Sequence, residues 1–174
     1  MPLPPLTLVL GGAASGKSAF AEGLVTAAGT KPTYIATSQV FDAEMAAKVA
    51  AHRAQRGPGW TTIEEPLDIA GALAAAPTDE PVLIDCATLW LTNVILGDHD
   101  LQTAKDVFVD AVSNADRPVV IVSNETGQGI VPENALARRF RQAQGQLNQD
   151  IAARAGLVVA VMAGLPLVLK GRLP

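Results

Sequence analysis

A chain of 174 residues with 49% hydrophobic, 17% charged and 4% aromatic residues has the profile of one globular domain. It is long enough to bury roughly 70% of its unfolded surface, so it needs no metal or disulfide for stability. A net charge of −4 argues against a nucleic-acid duplex as the main partner, and the single cysteine, Cys86, excludes an intramolecular disulfide or a multi-cysteine metal site while fitting a reducing cytoplasm.

The opening "MPLPPLTLVL" lacks a basic segment and is broken by prolines, so it reads as a poor signal peptide, with residues 1–5 a disordered extension. "LTLVL" (Leu6–Leu10) predicts the first strand, Lys17 to about Ala28 a helix ending near Gly29, and "TYIAT" (Thr33–Thr37) a second strand. A helix from about Asp42 to Gln55 follows, with Asp42 and Glu44 in its first turn, where the helix dipole favours acids. After the breaker "RGPG", "WTTIEE" reads as a short strand, "LDIAGALAAA" as a helix, "PVLID" (Pro81–Asp85) as a buried strand and "TLWLTNVIL" as the start of the next helix. "VVIVSN" (Val119–Asn124) is another buried strand ending in a polar turn.

The longest helix is expected from Pro132 to Ala155, with Leu136, Phe140, Ala143, Leu147 and Ile151 as its apolar stripe and Gly156 as its cap. The tail "GLVVAVMAGLPLVLK" is shorter than a membrane span and carries Gly164 and Pro166, so it reads as two short buried strands with no membrane insertion. Strand-length apolar runs alternating with helical segments predict one α/β domain over 1–174, a mostly parallel sheet flanked by helices.

"GGAASGKS" satisfies the phosphate-loop pattern over Gly11, Gly12, Ala13, Ala14, Ser15, Gly16, Lys17 and Ser18, between a predicted strand and a predicted helix. Small residues let the backbone turn its N–H groups into a concavity at the positive end of the following helix. Lys17 adds a point charge for the β- and γ-phosphates, and the Ser18 hydroxyl is placed to ligate Mg²⁺. Asp85, closing a neighbouring strand, is the acid expected to help hold that metal. Asn124 and Glu125 close another strand on the ligand-binding edge. "SNET" is not the N-K-x-D signature that reads guanine in regulatory GTPases.

His52 falls on the expected second helix and shares a face with Phe41, Met45 and Val49. From the helix alone it either fills a core or does chemistry. A neutral imidazole has a lone pair for attack on phosphorus, and Arg53 and Arg56 would neutralise phosphate charge and disfavour imidazole protonation. His99, in the acidic turn "GDHDL", is expected to be solvated. Arg138, Arg139 and Arg141 read equally as a phosphate-holding group or a solvated basic face. Gly127 and Gly129 suggest a turn that lets backbone approach a substrate or a second subunit.

"GGAASGKS", "YIATSQVFDAEMAAKVAAHRAQRGPGW", "LIDCATLWLTN" and "VSNETGQGIVPENALARRFRQAQGQLNQ" together resemble the bifunctional adenosylcobinamide kinase/adenosylcobinamide-phosphate guanylyltransferase family of cobalamin biosynthesis, over roughly Leu6 to Lys170. The resemblance implies a three-layer, RecA-like P-loop fold and a cytoplasmic homotrimer. It implies phosphorylation of adenosylcobinamide by GTP or ATP, then transfer of GMP from GTP to adenosylcobinamide phosphate, releasing pyrophosphate. It carries a guanylyl-histidine intermediate onto His52, and nucleotide contacts onto Gly11 to Ser18, Ala36, Thr37, Ser38, Arg53, Ala54, Gln55, Arg56, Glu64 and Asp85. Departures from the family pattern are Ala14 where arginine often stands, Ala51 where a second histidine often stands, and Asp85 where glutamate is common. Two other readings share the scaffold: a single-function P-loop small-molecule kinase with a structural His52, and a nucleotide-binding module without chemistry.

Overall fold

The structure is a computed structural model that describes residues 2–29, 31–39 and 43–174, with the backbone alone described for 43–45, 48, 52, 53 and 55. Its elements run β1 (Leu6–Gly11), α1 (Lys17–Ala28), β2 (Thr33–Ala36), α2 (Ala43–Arg56), β3 (Thr61–Glu64), α3 (Ile69–Ala75), β4 (Val82–Asp85), α4 (Ala87–Leu96), α5 (Leu101–Ser113), β5 (Val119–Asn124), α6 (Ala135–Arg154), β6 (Leu157–Met162) and β7 (Leu165–Lys170). The strands form one sheet in the order β3-β2-β4-β5-β1-β6-β7, parallel except for the β6–β7 hairpin.

Strand side chains alternate between faces, and here both faces are covered, which is why the strands read as unbroken apolar runs. On one face, Ala21 and Val25 of α1 pack with Val9, Leu83, Val120, Val122 and Val159. On the other, Ile69, Trp90, Phe108, Leu147 and Ile151 from α3 to α6 pack with Leu8, Ile35, Ile84 and Ile121. Trp90 and Phe108 meet at 4.4 Å between ring centroids. The outcome is three layers, helix on sheet on helix. Among the described residues no helix is long and apolar enough to cross a membrane.

Four expectations change. The helix after β4 stops at Leu96, and α5 follows as a separate element whose first turn is capped by Asp100 accepting from Thr103 N at 2.7 Å. The long helix begins at Ala135 and ends at Arg154; Ala155 leaves it in an extended conformation, and Gly156 donates to Leu6 O at 2.9 Å rather than forming a left-handed cap. In its stripe Ala143, Leu147 and Ile151 are buried, Phe140 is half-buried and Leu136 is exposed. The tail forms two strands, but only β6 is mostly buried; every residue of β7 is exposed, and β7 is the edge strand, next to β6 alone in the sheet order. The leading segment lies against the sheet, with Leu3 buried and Pro5 O accepting from Val119 N at 2.9 Å.

Leu147 is fully buried on the inner face of α6, so Leu147→Ala is expected to cost about 2–5 kcal/mol. Urea unfolding should show a lowered midpoint with an unchanged slope; an unchanged midpoint would contradict this packing.

Candidate nucleotide site

The segment between β1 and α1 is curled by its own small residues. A Cβ on Gly11 would lie 2.8 Å from Val161 O and closer still to Ser15 Oγ, so no side chain fits there. Ala14 (φ 54) and Gly16 (φ 91) are both left-handed, which turns successive N–H groups to one side. The curl is braced from outside. Ser15 O accepts from Gly164 N at 2.8 Å, and Gly11 O accepts from Glu125 N at 3.1 Å. Gly164 and Ala163 are the two central residues of the β6–β7 hairpin, and their φ values of 76 and 52 make its turn type I′.

The start of α1 differs from that of α3, α4, α5 and α6. Those four begin with a side-chain cap, from Asp68, Cys86, Asp100 and Asn134 respectively. At α1 the N-cap is Gly16, which has no side chain to cap with, so among the described residues no N-cap side chain takes up the N–H groups of the first turn. Lys17 Nζ donates back across the loop to Gly12 O at 3.0 Å, holding its charge over the concavity. Ser18 follows, half-buried, on the first turn. A cavity of about 460 Å³ lies against the loop, lined by Gly12 to Ser15, Glu125, Gln128, Met162, Ala163 and Leu169 among others. Lys17's charge and N–H groups at a helix start are features suited to binding an anion.

The sheet register places the other candidates. Gly11 pairs with Asn124, Val122 with Asp85, Asp85 with Ala36, and Ala36 with Glu64. Strands lie about 4.8 Å apart, so Asp85 stands about 10 Å from the loop's strand, and Glu64 about 10 Å farther on. Asp85 is half-buried, Glu64 exposed, Ala36 buried, Ser38 half-buried and Ala54 exposed. The side chains of His52, Arg53 and Gln55 lie outside the described residues, as do Phe41 and Asp42; α2 itself is present over the range that carries them. Among the described α2 side chains, Ala46, Ala47, Ala50, Ala51 and Ala54 are exposed, and only Val49 and Arg56 are half-buried.

Tyr34 joins the end of α2 to Asp85. Its hydroxyl donates to the Asp85 carboxylate, and burial first, then that negative charge, push its pKa well above the ordinary phenol value. The Arg56 guanidinium lies 3.5 Å from the centroid of the same ring, and Trp60 meets it edge-on at 6.2 Å. Among the described residues, Arg56 Nε and Nη1 are buried without a partner, which leaves these donors suited to an anion. Ser18 and Asp85 offer hard oxygen donors that, with phosphate oxygens and water, suit Mg²⁺.

Thr37 has a different part from its neighbours. It is fully buried; its hydroxyl donates to Cys86 O at 2.7 Å and accepts from Cys86 N at 2.8 Å, while Asn93 Nδ2 donates to its carbonyl at 2.8 Å. Thr37 thus ties the segment after β2 to the one after β4, and what it contributes to the site is position. Burial, then the Asp85 charge, push the Cys86 thiol up to about 11.

Several site-supporting residues carry no motif. Gln144 Nε2 donates to Ser123 Oγ and Asn148 Oδ1, Ser123 donates to Asn148 Oδ1 at 2.6 Å, and Asn148 Nδ2 donates to Asn124 O at 3.2 Å. Thr88 Oγ1 accepts from Asn124 N at 2.8 Å. Arg138 donates to Pro132 O and Glu133 O, and Arg141 donates to Gly127 O, so both clamp the backbone before α6. Arg138 and Arg139 are exposed, as the solvated-face reading has it, and Arg141 is half-buried. Gly127 N donates to Glu125 Oε1 at 2.6 Å, while His99 is exposed, as expected.

With its thiol pKa near 11, Cys86 should be about one-thousandth thiolate at pH 8. A thiol reagent at that pH is expected to label the native protein slowly and the denatured protein at once; fast native labelling would contradict the packing around Thr37 and Cys86.

Residues 7–169 match the family described as cobinamide kinase / cobinamide phosphate guanyltransferase. The chain is 44% identical over 167 residues to the bifunctional adenosylcobalamin biosynthesis protein CobP of Pseudomonas aeruginosa, covering 94% of this chain and 96% of that protein. It is 39% identical over 182 residues to the bifunctional adenosylcobalamin biosynthesis protein CobU of Salmonella typhimurium, covering 95% and 99%. Among solved structures it is similar to the RadB recombinase (TM-score 0.52, 16% identity, 99% of this chain and 84% of that one). It is also similar to an ATPase domain (TM-score 0.55, 12% identity, 97% and 78%). Likeness at that identity shows the fold alone, and the fold is the expected three-layer, RecA-like P-loop architecture.

Proposed function

Because the chain belongs to the cobinamide kinase / cobinamide phosphate guanyltransferase family, we propose that it catalyses two transfers in cobalamin biosynthesis. In the first, the aminopropanol hydroxyl of adenosylcobinamide attacks the γ-phosphorus of GTP or ATP. The bond to the β-phosphate oxygen breaks, and the nucleoside diphosphate leaves. In the second, a neutral His52 nitrogen attacks the α-phosphorus of GTP and pyrophosphate leaves. The phosphate oxygen of adenosylcobinamide phosphate then attacks the same phosphorus, the P–N bond breaks, and adenosylcobinamide-GDP is released.

The observation that carries this reading is the cap-free start of α1 beneath Lys17. The N–H groups of residues 12–18 would take the phosphates, with Lys17 as the point charge and Ser18 and Asp85 as the residues that hold Mg²⁺. When bound, the metal neutralises charge that builds on the phosphate oxygens. Tyr34 keeps the Asp85 carboxylate oriented by hydrogen bonding. Arg56, with two buried donors unpartnered among the described residues, would suit the phosphate charge of a nucleotide near the end of α2. Glu64, exposed at the end of β3, would meet polar groups of the same nucleotide. Covalent transfer would require His52, on α2, to reach the α-phosphorus.

The corrinoid would lie in an apolar groove of about 680 Å³ between α4 and α6, lined by Ile95, Leu96, Pro132, Leu136 and Phe140 among others. The working form would be a cytoplasmic homotrimer.

Two experiments test this function. Incubation with GTP labelled at the α-phosphate is expected to give an acid-labile, base-stable protein adduct, absent in His52→Ala; labelling that survives the substitution removes His52 from the mechanism. Lys17→Ala should weaken triphosphate binding at least tenfold by calorimetry, the loss of one charge-assisted contact; unchanged affinity would remove the loop from the site.

A further inference from the structure

The groove between α4 and α6 carries a single charge. Of the described residues that line it, Arg141 alone is charged. Two polar residues beside it are taken up by backbone: Thr92 Oγ1 donates to Thr88 O at 2.9 Å, and Asn134 Oδ1 accepts from Ala137 N at 3.1 Å. Arg141 itself is half-buried. Among the described residues it meets no carboxylate, and its one hydrogen bond runs from Nη2 to Gly127 O. A guanidinium has five N–H donors, so Nε and Nη1 remain for a ligand.

Its location suggests what this cation is for. Glu125 N donates to Gly11 O, where the phosphate loop begins. Gly127 is two residues farther along, at most about 7 Å between α-carbons, and Arg141 is tied to its carbonyl. The groove therefore has its cation on the sheet edge that carries the loop, while Ile95, Leu96 and Leu136 supply apolar wall. A ligand that matches this pattern is large and mostly uncharged, with one anionic group turned toward the loop.

We propose that Arg141 takes the phosphate of the second-step acceptor and so separates adenosylcobinamide phosphate from adenosylcobinamide. This rests on the reading of the groove as the corrinoid's place. The two acceptors differ by one phosphate, so the apolar walls hold both alike and charge tells them apart. A phosphate monoester carries about −1.5 to −2 charge at pH 7, and its oxygens accept from the guanidinium in charge-assisted bonds. The hydroxyl of the first-step acceptor is neutral and gains little there. The product of the first transfer is thereby held more tightly than its precursor, which keeps it for the second.

The test is equilibrium dialysis of adenosylcobinamide and of its phosphate, each followed by corrinoid absorbance, on the full chain and on variants whose thermal midpoints are checked. Arg141→Gln is expected to weaken the phosphate about 10- to 100-fold, the worth of a hydrogen bond to a charged group, and to leave adenosylcobinamide within about twofold. Arg141→Lys, which keeps the charge, should recover part of that loss. Arg138→Ala frees the carbonyls of Pro132 and Glu133 in the same segment but does not line the groove, and it should keep the wild-type preference. Equal losses for both ligands in Arg141→Gln would mark Arg141 as a loop clamp only and overturn the proposal. So would unchanged affinities, a lysine variant no better than glutamine, or the same loss of preference in Arg138→Ala. Leu136→Gln separates the two levels of inference, since it should weaken both corrinoids. If it weakens neither, the groove reading falls and this role with it; if it weakens both while Arg141→Gln changes nothing, only the role of Arg141 falls.

Discussion

The site depends on the missing side chain at Gly11. Any Cβ there would collide with Ser15 Oγ and with the Val161 carbonyl of the neighbouring strand. Backbone can therefore come close enough for the loop to double back over the end of β1. Once it does, two hydrogen bonds hold it from opposite sides, one from the residue after β5 and one from the β6–β7 turn. The left-handed residues Ala14 and Gly16 complete the curl, and α1 starts with its N–H groups facing the concavity. The loop's shape is thus a property of backbone placed by three strands, with Lys17 adding a cationic side chain beside it.

The rest of the sheet edge is tuned by burial and pairing. Thr37 fixes the segments that follow β2 and β4 to each other, which sets where Asp85 can stand. Tyr34 holds the Asp85 carboxylate from the same face and carries Arg56 on its ring. A polar cluster from α6, Gln144 and Asn148, enters the core to pin the end of β5. Such a network costs desolvation and is tolerated because its members bond one another. Among the described residues Gln144 Oε1 finds no partner in it.

The parts of this arrangement legible in the sequence are those set by local spacing. The phosphate loop is contiguous, and the glycines, lysine and serine that define it also imply the strand before and the helix after. Buried strands showed as apolar runs because both faces are covered. Edge position did not show, since β7 has the apolar content of an interior strand and is fully exposed. The helix α5 was missed although Asp100, its cap, stands in the sequence at the right place. Gln144 and Asn148 at helical spacing look like a solvent face; only the sheet above them makes them internal. Arg138 and Arg141 were visible as charge, but whether a guanidinium meets phosphate, water or a loop carbonyl is decided by chain segments far from the helix pattern. Family resemblance supplied the reaction, and the structure supplied the positions of Tyr34, Thr37 and Asn124.

The central claim is that the triphosphate lies in the curl of residues 11–18, against the ends of β4 and β5. Amide hydrogen exchange across the full chain, with and without a non-hydrolysable GTP analogue and Mg²⁺, tests this most directly. The account predicts slowed exchange concentrated in residues 12–18 and at the ends of β4 and β5. Protection that leaves residues 12–18 unchanged and falls elsewhere on the surface would contradict it.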